Sequence, residues 1–248
     1  MAKGLSPGLV HELAPTGRLR AAINLGNPVL AQPGPEGGPP GGVSAELARE
    51  LARRLGTPID YVLFHAAGKV VEAGKDGAWD VAFLAVDPVR AAGIAFTAPY
   101  VVIEGVYLVP DSSALKTTAD ADRAGVRIAV AEGSAYDLFL TRAIRHATLV
   151  RNSDGAESLE TFVRDGLEAA AGVRQPIAAF AAAHPGTRII PERFMAIEQA
   201  MGTVKGRDAG VAYLRTFVEE MKASGFVARA LAASGQSDAA VAPPAAAS

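Results

Sequence analysis

Short aliphatic runs alternate with helical repeats along almost the whole chain, and this alternation constrains the fold more than any other feature. Residues 19–25, Leu-Arg-Ala-Ala-Ile-Asn-Leu, read as a buried strand, residues 59–64 as the next strand and residues 81–86 as a continuous apolar strand. Between the first two, Leu47, Leu51 and Leu55 repeat at four-residue spacing, while Arg49, Arg53 and Arg54 fall on the opposite side. This pattern predicts an amphipathic helix, capped by Ser44 and stopped by Gly56. A second short helix is expected over residues 69–75. Strands that alternate with helices imply a parallel sheet covered on both faces, so the fold class is α/β.

The alternation then restarts with different residues. Strands are expected over 126–131, 148–151 and 167–173, and helices over 134–146, 158–165 and 176–183. Residues 101–109 separate the two runs as an extended segment with no helical period. A second extended segment, 194–201, leads into a long helix over 208–224. Two α/β lobes joined by two extended crossings fit this order. Lobe 1 comprises residues 1–106 and 199–248, and lobe 2 comprises residues 107–198. Ser6-Pro7 should open a short helix ahead of the first strand. Residues 32–42, Gln-Pro-Gly-Pro-Glu-Gly-Gly-Pro-Pro-Gly-Gly, cannot hold a regular element and read as a surface turn. They lack the preceding strand and the spacing of a phosphate-cradling loop. The Ala- and Pro-rich tail from Ser237 is expected to be disordered.

Composition removes several classes of function. Lys and Arg number 24 against 26 Asp and Glu, for a net charge of −2. A broad nucleic-acid surface or a polybasic membrane anchor is therefore not expected. The chain has no cysteine, which excludes thiol catalysis, disulfides and Cys-based metal sites. His11, His65, His146 and His184 lie far apart without ligand-like spacing, so no metal site is expected, and no cofactor motif stands out. The longest apolar runs, 81–86 and 177–183, fall well short of the roughly 20 residues that span a bilayer. No apolar signal core follows the Met-Ala-Lys-Gly-Leu-Ser-Pro start. The expectation is either a removed export signal or a cytoplasmic protein.

Several stretches resemble, in the right order, the family 3 extracellular solute-binding proteins, the polar amino-acid class that serves ABC importers. These are Leu-Arg-Ala-Ala-Ile-Asn (19–24), the helix at 42–56, Trp-Asp-Val-Ala-Phe-Leu-Ala-Val-Asp-Pro-Val-Arg (79–90) and Ile-Ala-Phe-Thr-Ala-Pro-Tyr (94–100). Val-Arg-Ile-Ala-Val-Ala-Glu-Gly-Ser-Ala (126–135) and Met-Lys-Ala-Ser-Gly-Phe-Val-Ala-Arg-Ala-Leu (221–231) complete the set. The resemblance implies a two-lobed periplasmic-binding-protein type II fold, with the two extended crossings as hinges. It also implies a ligand held between lobes that close on it, a monomer, an ABC permease as partner and a periplasmic location.

In that family an amino-acid ligand's carboxylate is held by a lobe 1 arginine and by a helix start in lobe 2, and its ammonium by an acid. Arg90 matches the arginine in kind, although its interval from Asp80 is shorter than the family's. Asp87-Pro88-Val89-Arg90 also reads as a helix start with Asp87 as its cap. Gly133, Ser134, Ala135 and Tyr136 match the second-lobe site, where unpaired backbone N–H groups at a helix start attract an anion. Asp137 would complete part of a capping box there. The acid's usual position falls on Val173, followed by Arg174 and Gln175, with Glu104 or Asp87 as substitutes. Arg174 could instead be exposed, or pair with Asp165 or Glu168. Asn24 and Asn27 could hydrogen-bond towards the cleft. The function expected is capture of a small anionic or zwitterionic, carboxylate-bearing ligand, an amino acid or related organic acid, without catalysis. Two alternatives share the fold: a lyase resembling cyclohexadienyl dehydratase, with an acid such as Glu104 as proton donor, and a ligand sensor without transport.

Overall fold

The structure is a computed structural model that describes residues 5–246. In chain order, α1 (Pro7–Leu13), β1 (Leu19–Asn24), α2 (Val43–Leu55), β2 (Ile59–Phe64), α3 (Ala67–Lys75) and β3 (Val81–Ala85) precede a long strand, β4 (Ile94–Pro110). Then follow β5 (Arg127–Ala131), α4 (Ala135–Ala143), β6 (Thr148–Asn152), α5 (Gly155–Arg164), β7 (Ala169–Val173), α6 (Arg174–Ala183) and β8 (Thr187–Ile189). The chain ends with β9 (Met195–Val204), α7 (Asp208–Ala223), α8 (Phe226–Ala233) and β10 (Ala240–Val241). Contacts divide these elements into two compact units, Met1–Val102 with Glu198–Ser248, and Ile103–Ile197. The chain passes from the first unit to the second within β4 and returns within β9.

The two units repeat one arrangement. In the first, β1 is central and pairs in parallel with β2 and β3, and β3 pairs antiparallel with β9. In the second, β5 is central and pairs in parallel with β6 and β7, and β7 pairs antiparallel with β4. The covering helices bury separate cores. Ala22, Val70, Trp79, Ala82, Leu84 and Ile94 form one. Val106, Leu108, Ala129, Phe162, Leu167, Ala170 and Ile177 belong to the other. The indole of Trp79 lies against Gly74, where a Cβ would sit 2.5 Å from its Cζ2. No larger residue fits at that position.

The same ion pair is also built twice. In the first unit the Arg20 backbone N–H and Nε donate to Asp80 Oδ2, Nη2 donates to Oδ1 at 2.8 Å, and Nη1 donates to the Gly77 carbonyl. In the second, the Arg127 N–H and Nε donate to Glu168 Oε2, while Nη2 reaches Oε1 at 2.9 Å and the Gly166 carbonyl. Each pair ties the start of the central strand to the residue just before the third strand. Burial separates them: the Asp80 side chain is 0% exposed and the Glu168 side chain 37%.

Four local expectations are corrected. Ser44 does not cap α2; the helix starts after Gly42, whose φ of 91° only glycine adopts readily. Ser44 is buried in the first turn, where its hydroxyl hydrogen-bonds the Tyr100 hydroxyl at 3.0 Å. The helix expected over 208–224 is present as α7, but the stretch 221–231, which resembles the family's closing helix, is broken, because Gly225, with φ 72°, separates α7 from α8. The sheet is mixed rather than parallel, since β4 and β9 run against their neighbours. Finally, the tail is not disordered as far as the described residues reach. Ala240 and Val241 pair with Val102 and Val101 of β4, the Ala242 N–H donates to Tyr100 O, and Lys222 Nζ donates to Pro243 O at 2.8 Å. Alanine's small side chain lets Ala239 and Ala242 bury against the sheet.

Ending the chain at residue 236 should therefore destabilise it. The loss of a few backbone hydrogen bonds and two buried alanines is worth about 2 kcal/mol, which lowers Tm by about 4–8 °C in a protein of this size. A thermal melt checks this, and an unchanged Tm would show that the strand contributes nothing.

Candidate functional site

In open α/β sheets ligands bind beyond the carboxyl ends of the strands, where successive connections leave the central strand in opposite directions. Each unit has one such point. In the first it lies between the ends of β1 and β3, and in the second between the ends of β5 and β7. The residues singled out from the sequence stand at these two edges.

At the edge of the first unit, Asn24 ends β1 and its Oδ1 accepts the Gly26 N–H at 3.0 Å. The Asn27 carbonyl accepts from the Leu30 and Ala31 N–H groups, which closes a turn, and its buried Oδ1 has no hydrogen-bond partner among the described residues. A half-turn of that amide would present donors instead of an acceptor. After β3, Asp87 Oδ1 accepts the Val89 N–H at 2.8 Å, and the Asp87 carbonyl accepts the Ala91 N–H. The expected helix capped by Asp87 is not formed: the Asp87 side chain closes only the turn to Val89, and a single 3₁₀ turn, Arg90–Ala92, follows with Val89 at its cap and no side-chain cap bond.

Arg90 is only 2% exposed and donates through Nη1 to the Ala85 carbonyl at 3.0 Å. Burial pulls its pKa down to about 10, with Asp87 acting in the opposite direction, so it remains a cation at neutral pH. Val86 and Val89, by contrast, are exposed.

At the edge of the second unit, Ser134 caps α4, its Oγ accepting the Asp137 N–H at 3.1 Å, while Asp137 Oδ2 accepts the Gly133 N–H at 2.9 Å. The Ser134 cap is the one expected, but the return bond of the capping box falls one residue early, because the Ser134 N–H donates to the Ala131 carbonyl. Gly133, with φ 69°, makes the preceding turn. Arg151 Nε donates to Asp137 Oδ1 at 3.0 Å and holds the box from β6. Ala135 and Tyr136 are the first two residues of the helix, so their N–H groups have no carbonyl within it to bond. Tyr136 is buried, and burial pushes its phenol pKa up to about 12 against a hydrogen bond with Ser134.

The other helix start, α6, begins at Arg174 with Val173 at its cap and no side-chain cap bond. Antiparallel pairing of β4 with β7 sets Gly105 opposite Val173, which brings Glu104 beside Arg174. Arg174 Nε donates to Glu104 Oε2 at 2.5 Å, and Nη2 donates to the Pro191 carbonyl. Arg193 Nη1 donates to the other oxygen, Oε1, at 3.2 Å. Neither Asp165 nor Glu168 takes Arg174: Asp165 pairs with Arg164, and Glu168 with Arg127. The Gln175 Oε1 is buried without a hydrogen-bond partner among the described residues. Phe194 packs on Tyr107 with ring centroids 4.5 Å apart, next to this cluster.

Arg193 was not singled out from the sequence. A signal existed, because Glu104 and Arg193 each adjoin one of the two extended crossings. The Phe194 N–H bonds the Gly105 carbonyl, so antiparallel neighbours of that kind bring the two residues together.

The model of the bacterial extracellular solute-binding proteins, family 3, matches residues 20–233. The chain belongs to that family. Its fold is the type II periplasmic-binding-protein fold, as the solved structures similar to it show. The solute receptor for L-cysteine of Neisseria gonorrhoeae is 21% identical with a TM-score of 0.78, over 91% of this chain and 92% of the receptor. A mutant of ArgBP from T. maritima is also 21% identical, with a TM-score of 0.76, over 90% of this chain and 97% of that one. The ancestral amino acid-binding protein AncCDT-1, a precursor of cyclohexadienyl dehydratase, is 20% identical with a TM-score of 0.74, over 90% and 98%. A comparison with curated protein sequences finds no match.

Proposed function

We propose that this family 3 member captures a small carboxylate-bearing solute, an amino acid or related organic acid, and delivers it unchanged to an ABC importer. The observation that carries the reading is the start of α4. Two helical N–H groups without acceptors in the helix follow a glycine turn at the carboxyl end of the central strand, in a solute-binding family. Such a start stabilises an anion by direct hydrogen bonds and by the helix dipole. The amino-acid-binding proteins among the structural neighbours support the solute class. At the corresponding edge of the first unit, Arg90 carries a buried guanidinium, and a planar guanidinium fork suits a carboxylate.

The lyase alternative needs a carboxylic acid with a proton to give. Glu104 instead accepts hydrogen bonds from two guanidiniums, one on each oxygen.

A thermal-shift screen of amino acids, dicarboxylates, keto acids and aromatic acids tests the reading. At least one acid should raise Tm by several degrees, since a ligand at about 100 times its Kd stabilises the folded state by about 2.7 kcal/mol. Isothermal titration should then show one equivalent bound. Binding of neutral sugars or amines with no response to any acid would overturn the proposal.

A further inference from the structure

The charged groups at the edge of the second unit are the most specific feature that the family assignment leaves unexplained. A carboxylate that receives an ammonium must have an oxygen to offer. Glu104 has both oxygens engaged, Oε2 by Arg174 Nε at 2.5 Å and Oε1 by Arg193 Nη1 at 3.2 Å. The three side chains carry one negative charge against two positive ones. Arg174 also has donors to spare, since a guanidinium has five N–H groups and here two nitrogens serve Glu104 and the Pro191 carbonyl. The Arg174 and Glu104 side chains are 32% and 36% exposed, so solvent screens that pair incompletely, whereas Arg193, at 54%, is screened more fully. The buried amide oxygens of Asn27 and Gln175 do not alter the balance, because an amide serves a donor or an acceptor after a half-turn.

We infer that the Arg174–Glu104–Arg193 cluster is a specificity element that selects an organic acid without a free α-amine. An ammonium placed here would meet two guanidiniums across a single, already occupied carboxylate, and like charges at close range repel. A second carboxylate, a keto or hydroxyl oxygen, or an uncharged chain avoids that repulsion, and an oxygen can accept from the spare donors of Arg174. The inference rests on the proposed capture of a carboxylate and narrows the class of acid.

The test uses acids that differ only in the α-amine: L-leucine with 4-methylpentanoate, L-glutamate with glutarate, L-phenylalanine with 3-phenylpropanoate, and L-arginine with 5-guanidinopentanoate. Affinities are measured by isothermal titration on the full chain. In the pair that binds tightest, the amine-free acid should bind at least about tenfold more tightly than its amino acid. Arg174→Met should release Glu104 and narrow that preference about tenfold or more. Glu104→Gln, which removes the one negative charge, should preserve or widen it. A urea unfolding curve for each variant confirms folding. Tighter binding of the amino acid by the unaltered protein would overturn the inference while leaving carboxylate capture intact, and so would a preference that Arg174→Met does not change. If none of these eight acids and no acid of the thermal-shift screen binds, carboxylate capture itself fails, and the inference with it.

Discussion

Asp80→Ala is expected to lower the free energy of unfolding by about 3–5 kcal/mol, whereas Glu168→Ala, at the equivalent place in the second unit, should cost about 1 kcal/mol or less. The two acids accept the same set of bonds from an arginine's backbone N–H and guanidinium. Asp80 has Arg207 in addition, whose Nη1 lies 3.2 Å from Oδ1. Burial decides the difference. The Asp80 side chain is fully covered, so its loss strips acceptors from Arg20 and Arg207 where water reaches them poorly. The Arg127–Glu168 pair is 44% and 37% exposed, and water replaces most of what is lost. Urea unfolding of both variants measures the contrast. Equal losses would mean that hydrogen-bond geometry, rather than burial, sets the value of this device.

Replacing Arg90 should have the largest effect on binding. A guanidinium held at 2% exposure pays for desolvation, and the lowered pKa is the sign of that cost. Within the chain the Ala85 carbonyl and Asp87 offset part of that cost, and a bound carboxylate would offset more. Arg90→Ala should weaken the tightest-binding acid by about 2–5 kcal/mol, roughly 30-fold to several thousand-fold. Arg90→Met keeps most of the side-chain volume. It should cost the unliganded protein some stability, because Asp87 and the Ala85 carbonyl lose a buried partner, but should leave it folded. Loss of binding in a variant that a urea curve shows still folded separates a ligand contact from a structural strut. If Arg90→Met unfolds more easily and binds as well as the unaltered chain, the arginine belongs to the scaffold.

Much of this was legible in the sequence, for physical reasons that differ by element. β1, β3, β5 and β7 were marked by aliphatic runs that only a strand buried on both faces requires. β2, only half-buried at the sheet edge, was marked by its β-branched and aromatic residues. The helix over Leu47, Leu51 and Leu55 was marked by its period, and the α4 cap by Ser134 three residues before Asp137. What failed depended on contacts distant in sequence or on backbone conformation. Ser44 has the chemistry of a cap, but Gly42's positive φ started the helix earlier and Tyr100 claimed the hydroxyl. The tail's composition suggested disorder, yet two residues found a free strand edge in β4. β8, three residues long, has too little pattern to be read. For Arg174 the sequence offered exposure or a pair with nearby Asp165 or Glu168, while the register of β4 on β7 delivered Glu104 from 70 positions away. Local pattern could therefore place Asn24 at a strand end and Ser134 at a helix start, but not choose the charge partner of Arg174.

The most direct test of solute capture without chemistry is to incubate the protein with the acid that gives the largest thermal shift and analyse the mixture by mass spectrometry. The expected result is saturable binding of one equivalent, with the acid recovered unchanged after many times the lifetime of the complex. Conversion of that acid to a new product, abolished in Glu104→Gln, would contradict it and make this family member an enzyme.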